Sequence, residues 1–320
     1  MQIAPFDPLR LATDVRELLA AMAASGVPPL ESLPLEQRRE AYRQIGARLG
    51  GETVPVREVR ELQADGPAGT IPLRLYLSGP PHAGPHGVTV YFHGGGWTLG
   101  DLDSHDNICR RLAHSSGCAV VSVDYRLAPE HPAPAGPEDA LAAVRWLASH
   151  AAALGFDPAR IAVAGDSAGG SLSAVVCQRL RREVPLRAQV LFYPSTDLSP
   201  VGEHFPSRSE NGAVPPLTLA LMKAMSAPFS DSFDTTDTRL SPLLEPDLGN
   251  LPPALIITAE CDVLRDDGRL YRNALRAAGV PVEYVEVPGM VHGFIEMAGV
   301  LPAALDAIER AGAYLREMLA

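Results

Sequence analysis

Residues 165–169, Gly165-Asp166-Ser167-Ala168-Gly169, read G-x-S-x-G. A serine hydroxyl is a weak nucleophile until an adjacent base takes its proton. The flanks supply a setting for such chemistry: the apolar run RIAVA (160–164) precedes the motif as a strand, and a helical run follows from Ala168. Strand, sharp turn and helix form a nucleophile elbow, in which glycines avoid backbone collisions and the helix N-terminus points its free N–H groups at the reacting oxygen. A Gly-rich phosphate turn competes with this reading, but neither GxGxxG nor a Walker lysine is present.

His93-Gly94-Gly95-Gly96-Trp97 closes the strand-like run VTVYFH. Successive glycines there bare backbone N–H groups. Gly94, Gly95 and Gly96, with the N–H of Ala168, are therefore the candidate oxyanion hole. His93 reads as an anchor for this loop. The serine needs a base and the base an orienting acid, in the chain order Ser, acid, His. Of the histidines after Ser167, His292 sits in the turn PGMVHGF after the run VEYVEV, whereas His204 lies in an irregular stretch. Asp262 follows the apolar run ALIITAEC and reaches the same edge as Ser167. Glu260, Asp266 and Asp267 are rivals, the last two reading as ordinary acids of a helix N-terminus.

These residues need a frame. From residue 88 onward short apolar runs alternate with helical ones. Strands fall at 88–93, 118–124, 161–165, 189–193, 254–259 and 282–287, helices at 103–114, 137–154, 168–182, 266–278 and 302–319. Continuous rather than alternating apolar strands imply a parallel sheet covered on both faces. Before them, 54–62 and 71–77 alternate like an antiparallel pair with one wet face. Leu11, Val15, Leu18, Leu19 and Met22 recur at helical spacing up to 26–29 (GVPP), and 36–49 is a second helix. Residues 195–253 break the rhythm, being rich in Pro, Ser and Asp, with one amphipathic segment at 217–225. So long an insertion between core strands reads as a lid. The expected organisation is cap helices in 1–50, a core in 51–194 and 254–320, and a cap insertion in 195–253. Trp97, Tyr193, Phe205, Leu217 and Leu221 are candidate pocket linings, with plain core packing as the competing reading.

The chain has 320 residues, 46% hydrophobic and 20% charged, with net charge −11. That excludes collagen, coiled coil and disordered tail, and argues against nucleic-acid partners or an anionic membrane surface, which need a positive field. Cys109, Cys118, Cys177 and Cys261 form no CxxC pair, so zinc and dithiol spacings are absent and four free thiols are expected. The start, MQIAPFDPLR, lacks a signal-like apolar core, and no stretch is long enough to span a bilayer. A cytoplasmic protein without stable membrane anchoring is the expectation.

HGGGW (93–97), GDLDSHD (100–106), DYRLAPEHPAPA (124–135), GDSAGG (165–170), YPSTD (193–197), CDVLRD (261–266) and HGF (292–294) together resemble the hormone-sensitive-lipase family of α/β-hydrolases, the bacterial family IV carboxylesterases. The resemblance implies an α/β-hydrolase fold, mostly parallel sheet flanked by helices under a helical cap. It implies Ser167 as nucleophile, Asp262 as acid and His292 as base, hydrolysis of short- to medium-chain esters through an acyl-enzyme, no metal or organic cofactor, and a homodimer. The family usually carries Pro after the acid and often Asn after GDSAGG, where this chain has Val263 and Ser171. Tyr125, Arg126 and Glu130 read as structural, through an Arg–carboxylate clamp. An amidase, deacetylase or lactonase on the same three residues stays open, because the cap reads the leaving group. A small-molecule binding protein is the remaining alternative.

Overall fold

The computed structural model describes residues 6–26, 28–79 and 86–320. The first five residues of the signal-peptide reading, and Val27 of the expected helix stop, lie outside the described residues. The strands are β1 (Glu58–Gly66), β2 (Gly69–Leu77), β3 (His86–Phe92), β4 (Ala119–Val123), β5 (Phe156–Asp166), β6 (Leu186–Phe192), β7 (Ala254–Ala259) and β8 (Val282–Val287). They form one sheet in the order β1-β2-β4-β3-β5-β6-β7-β8. β1, β2 and β4 pair antiparallel, and every pairing from β4 through β3 to β8 is parallel.

The helices are α1 (Thr13–Ala24), α2 (Leu35–Leu49), α3 (Asp106–Ser116), α4 (Ala135–Leu154), α5 (Ala168–Leu180), α6 (Pro206–Glu210), α7 (Leu219–Ser230), α8 (Arg265–Ala277) and α9 (Pro302–Met318). Alternation along β3 sorts the two faces. Val88, Val90 and Phe92 pack with Val144, Leu147, Leu172 and Leu275 of α4, α5 and α8, while Tyr91 packs with Leu112 and Ile308 of α3 and α9. Both faces of the central strands are covered, which is why those runs are apolar throughout. β8 is the exception, an edge strand half exposed and carrying Glu283 and Glu286, charges that discourage pairing with another chain.

Boundaries moved where side chains bind backbone. The helix expected from 103 starts at Asp106, because Asp101 Oδ1 accepts from the N–H groups of Asp103 (3.1 Å) and Ser104 (2.8 Å) and holds a turn. The strand expected at 54–62 is Glu58–Gly66: Val54 N–H donates to Asn107 of α3 instead (2.9 Å). In the insertion between β6 and β7 the amphipathic helix is Leu219–Ser230, capped by Thr218 Oγ1, which accepts from Leu221 N–H at 3.1 Å. The clamp forms between Arg126 and Asp139 (2.8 Å), whereas Glu130 pairs with Arg39 of α2 (2.8 Å). The four cysteines are free thiols. Among the described residues no helix is long and apolar enough to cross a membrane.

Gly169, one residue into α5, is where helix meets sheet: a Cβ there would run into the carbonyl groups of Phe92 and His93. Helix propensity alone makes Gly169→Ala stabilising by up to about 1 kcal/mol. We expect the opposite sign, a loss of at least about 2 kcal/mol from overpacking, read from the urea midpoint.

Candidate active site

All strands from β3 to β8 run parallel, so their carboxyl ends share one edge, the usual place for ligands in such sheets. β5 ends at Asp166, and Ser167 follows at φ 55°, ψ −117° as the N-cap of α5. Positive φ is costly for a residue with a Cβ. Ser167 is fixed there by its N–H, which donates to Phe192 O at 2.9 Å, and by its carbonyl, which accepts from Ser171 N–H (3.1 Å) and Ser195 N–H (3.2 Å).

The turns after β7 and β8 bring the other two candidates to it. Asp262 Oδ2 lies 2.8 Å from His292 Nδ1, and His292 Nε2 lies 2.9 Å from Ser167 Oγ. A carboxylate only accepts, so Nδ1 carries the proton and Nε2 presents its lone pair to the serine hydroxyl. Asp262 Oδ1 also accepts from Leu264 N–H at 2.8 Å. The two turns are tied to each other by three bonds: Glu260 N–H to Val287 O (3.1 Å), Cys261 N–H to Met290 O (2.9 Å) and Gly289 N–H to Glu260 Oε2 (2.9 Å). Burial of the His292 ring opposes its charged form. The facing Asp262 carboxylate, by charge and hydrogen bond, outweighs that and raises the pKa above 6.5.

The rival acids have other partners. Glu260 holds Gly289 and faces Arg10. Asp266 accepts from Ser207 N–H (2.9 Å), and Asp267 pairs with Arg208 at 2.7 Å with both side chains buried. Both stand in the first turn of α8 as the sequence suggested, but they fasten the insertion to that helix rather than merely complement its dipole. His204 lies in the short turn Gly202–His204 and is not among the hydrogen-bond partners of Ser167 or Asp262.

The glycine loop divides. Gly94 N–H donates to Asp166 Oδ1 at 3.0 Å, so that group is committed. Gly95 and Gly96 adopt φ 112° and 60°, and with Ala168, whose N–H heads α5, they carry the N–H groups left without a partner among the described residues. Gly95 O accepts from Thr98 N–H (3.2 Å) and Leu99 N–H (2.9 Å), which fixes the loop. His93 anchors it, stacked 4.3 Å from Tyr125 with Nδ1 donating to Gly94 O at 2.8 Å; burial pushes its pKa down to about 4, so it is neutral.

Beneath the loop lies a polar cluster that sequence reasoning missed. Asp166 accepts from Tyr91 Oη (2.7 Å) and lies 3.4 Å from His105, and burial pushes the Glu296 carboxyl up to about 7. Ligand atoms of His105, Asp166 and Glu296 come within 4.8 Å of one another, close enough for a metal ion. Asp166, however, is already engaged by Tyr91 and Gly94 of the protein itself. The one available signal was the strand-end position of Asp166 within the elbow.

The pocket candidates separate too. Tyr193 (φ 34°) lies with its ring 4.7 Å from His292. Leu217 and Leu221 join Leu99, Leu219, Met225 and Leu264 in a cluster between insertion and core. Trp97 is buried, stacked at 4.7 Å on Phe229 of α7. Phe205 covers Arg208, its ring centroid 5.6 Å from the guanidinium carbon.

An NMR titration of the His292 ring checks the electrostatics. We expect a pKa above 6.5 in the wild type. In Asp262→Asn burial is opposed only by the more weakly acting Glu296 and Asp166 carboxyls, and the value falls below that of the wild type.

Comparison with known proteins places the fold. Residues 89–296 match the family model described as alpha/beta hydrolase fold. The chain is 50% identical over 259 residues to carboxylesterase NlhH of Mycobacterium tuberculosis, covering 78% of this chain and 79% of the relative. It is 44% identical over 293 residues to the esterase LipI of the same organism, covering 90% and 91%. Among solved structures, an α/β hydrolase from the metagenome of Lake Arreo, Spain, superposes with TM-score 0.92 at 40% identity, covering 96% of this chain and 98% of that one. The chain belongs to the α/β-hydrolase family, in its hormone-sensitive-lipase-like branch of bacterial esterases.

Proposed function

We propose that this protein is a serine carboxylesterase acting on small esters of short to medium acyl chain. The observation that carries the proposal is the unbroken hydrogen-bond chain from Asp262 through His292 to Ser167, with 2.8 and 2.9 Å links, beside the free N–H groups of Gly95, Gly96 and Ala168. Relatives named carboxylesterase, and an ethyl acetate hydrolase of Pseudomonas putida at 36% identity over 302 residues, support it.

Ser167 Oγ attacks the ester carbonyl as His292 Nε2 takes its proton. Asp262 keeps the imidazole in that tautomer and stabilises the imidazolium. The carbonyl oxygen becomes an anion among the N–H groups of Gly95, Gly96 and Ala168, each donor worth about 3 kcal/mol in the transition state. His292 passes the proton to the leaving alcohol. Water then attacks the acyl-enzyme through the same base and frees Ser167. The described residues of 1–50, together with 195–253, form the cap in this reading. Leu217 and Leu221 line the acyl side, and Tyr193 backs His292. Trp97 and Phe229 fix α7 over the glycine loop. Phe205 supports Arg208 beneath. Cytoplasmic residence fits the four free thiols, and a homodimer belongs to the same proposal on the family resemblance.

Hydrolysis of p-nitrophenyl esters from acetate to palmitate tests the reading. We expect turnover on the short chains, abolished in Ser167→Ala and reduced about 10⁴-fold in Asp262→Asn. The base must be neutral and its pKa is raised, so kcat/KM should fall as pH drops through a value above 6.5. No turnover by folded wild type across the series would overturn the esterase reading.

A further inference from the structure

Asn211, the residue that ends α6, is fully buried. Its Nδ2 donates to Asp262 O at 2.9 Å and to Glu260 O at 3.2 Å, and its Oδ1 accepts from Arg10 Nη1 at 3.2 Å. The orientation of the amide is forced: carbonyls only accept and a guanidinium only donates. Ser207, four positions earlier and thus on the same helix face, donates through Oγ to Val263 O at 2.8 Å, and Arg208 donates to the same oxygen. Three insertion side chains therefore hold the carbonyls of Glu260, Asp262 and Val263. Arg10 extends the network. It faces Glu260 at 3.5 Å, and Glu260 holds Gly289 in the turn that leads to His292.

This grip falls on the acid's turn, where the Asp262 carbonyl also accepts from Arg265 N–H at 3.1 Å. The residue after Asp262 is Val263, which lacks the fixed φ that a proline would impose there. The peptide planes on either side of the acid are held by hydrogen bonds instead, from Asn211, from Arg265 N–H to Asp262 O and from Cys261 N–H to Met290 O.

We propose that Asn211 is a positioning residue for Asp262. By holding the carbonyls at 260 and 262 it sets the peptide planes that aim the Asp262 carboxylate at His292. Because the same amide meets Arg10, that aim depends on both the insertion and the N-terminal segment being seated. The inference rests on the triad reading given above, and it makes the cap part of the catalytic geometry rather than only a wall of the pocket.

Asn211→Asp keeps size and the acceptor toward Arg10 but turns a carboxylate oxygen against two carbonyls. Asn211→Ala removes all three bonds, and Asn211→Ser, whose arm is too short to bridge both carbonyls, replaces either variant that does not fold. Active sites are counted by titration with a p-nitrophenyl alkylphosphonate, and kcat and KM for p-nitrophenyl butyrate are expressed per titrated site. We expect kcat per site to fall roughly 10- to 100-fold, the scale of a misplacement of about 1 Å, with KM changed by less than about threefold. The His292 pKa, read by NMR, should move down from its wild-type value as Asp262 loses its aim. Asp166, Glu296 and Tyr193, which also face the ring, are unaltered. A lower melting temperature with wild-type kcat per site and wild-type His292 pKa would overturn the proposal and leave Asn211 a structural residue only. The NMR titration needs no turnover, so it tests the positioning claim separately from the esterase reading, whose own failure shows as inactive, unphosphonylated wild type.

Discussion

The structure depends on holding one serine where a serine does not rest by itself. Ser167 at φ 55°, ψ −117° lies outside the regions open to ordinary L-residues, and such strain costs on the order of 1–3 kcal/mol. It persists because the surroundings over-determine it. The backbone of Ser167 bonds to Phe192, Ser171 and Ser195, and a Cβ would run into Gly169 and Phe92 at Gly165 and into Phe92 and His93 at Gly169. In the proposed mechanism the strain has a use. It lifts the hydroxyl clear of strand and helix while pointing the α5 N-terminus at the place where charge develops.

From that point the site is built by tying loops to loops. The acid and base turns share three bonds, the glycine loop hangs on Asp166 through Gly94 and on Tyr125 through His93 O at 2.8 Å, and the insertion enters through a buried Arg208–Asp267 pair. A buried pair adds little net stability over an apolar core, but losing one partner is costly, commonly 3–5 kcal/mol or about that. This pair joins α6 to α8, and Ser207, Arg208 and Asn211 beside it meet the acid's turn.

The sequence made some of this legible and hid the rest for identifiable reasons. The parallel sheet was readable because strands covered on both faces are apolar without interruption, as at 88–92 and 254–259. Ser167, Asp262 and His292 could be read as neighbours because each follows the carboxyl end of a strand, which puts all three at one edge. The start of β1 was not, since an edge strand with one strongly buried residue, Ala64, has no clear pattern. Gly94 could not be told from Gly95 and Gly96, because what separates them is a bond to Asp166, 72 positions away. Asn211 was invisible for the same reason. Its three partners lie 201, 49 and 51 positions distant, and an asparagine in a polar insertion looks like any loop residue.

The central claim is that Ser167 carries the acyl group in the course of the reaction. Acid-quenching the wild type during turnover of p-nitrophenyl acetate, followed by digestion and mass spectrometry, reads this directly. The account predicts one acetyl group per chain, on the peptide containing Ser167, with accumulation suppressed in His292→Ala. Turnover with no acetyl group on that peptide, or with the label on another residue, would contradict it.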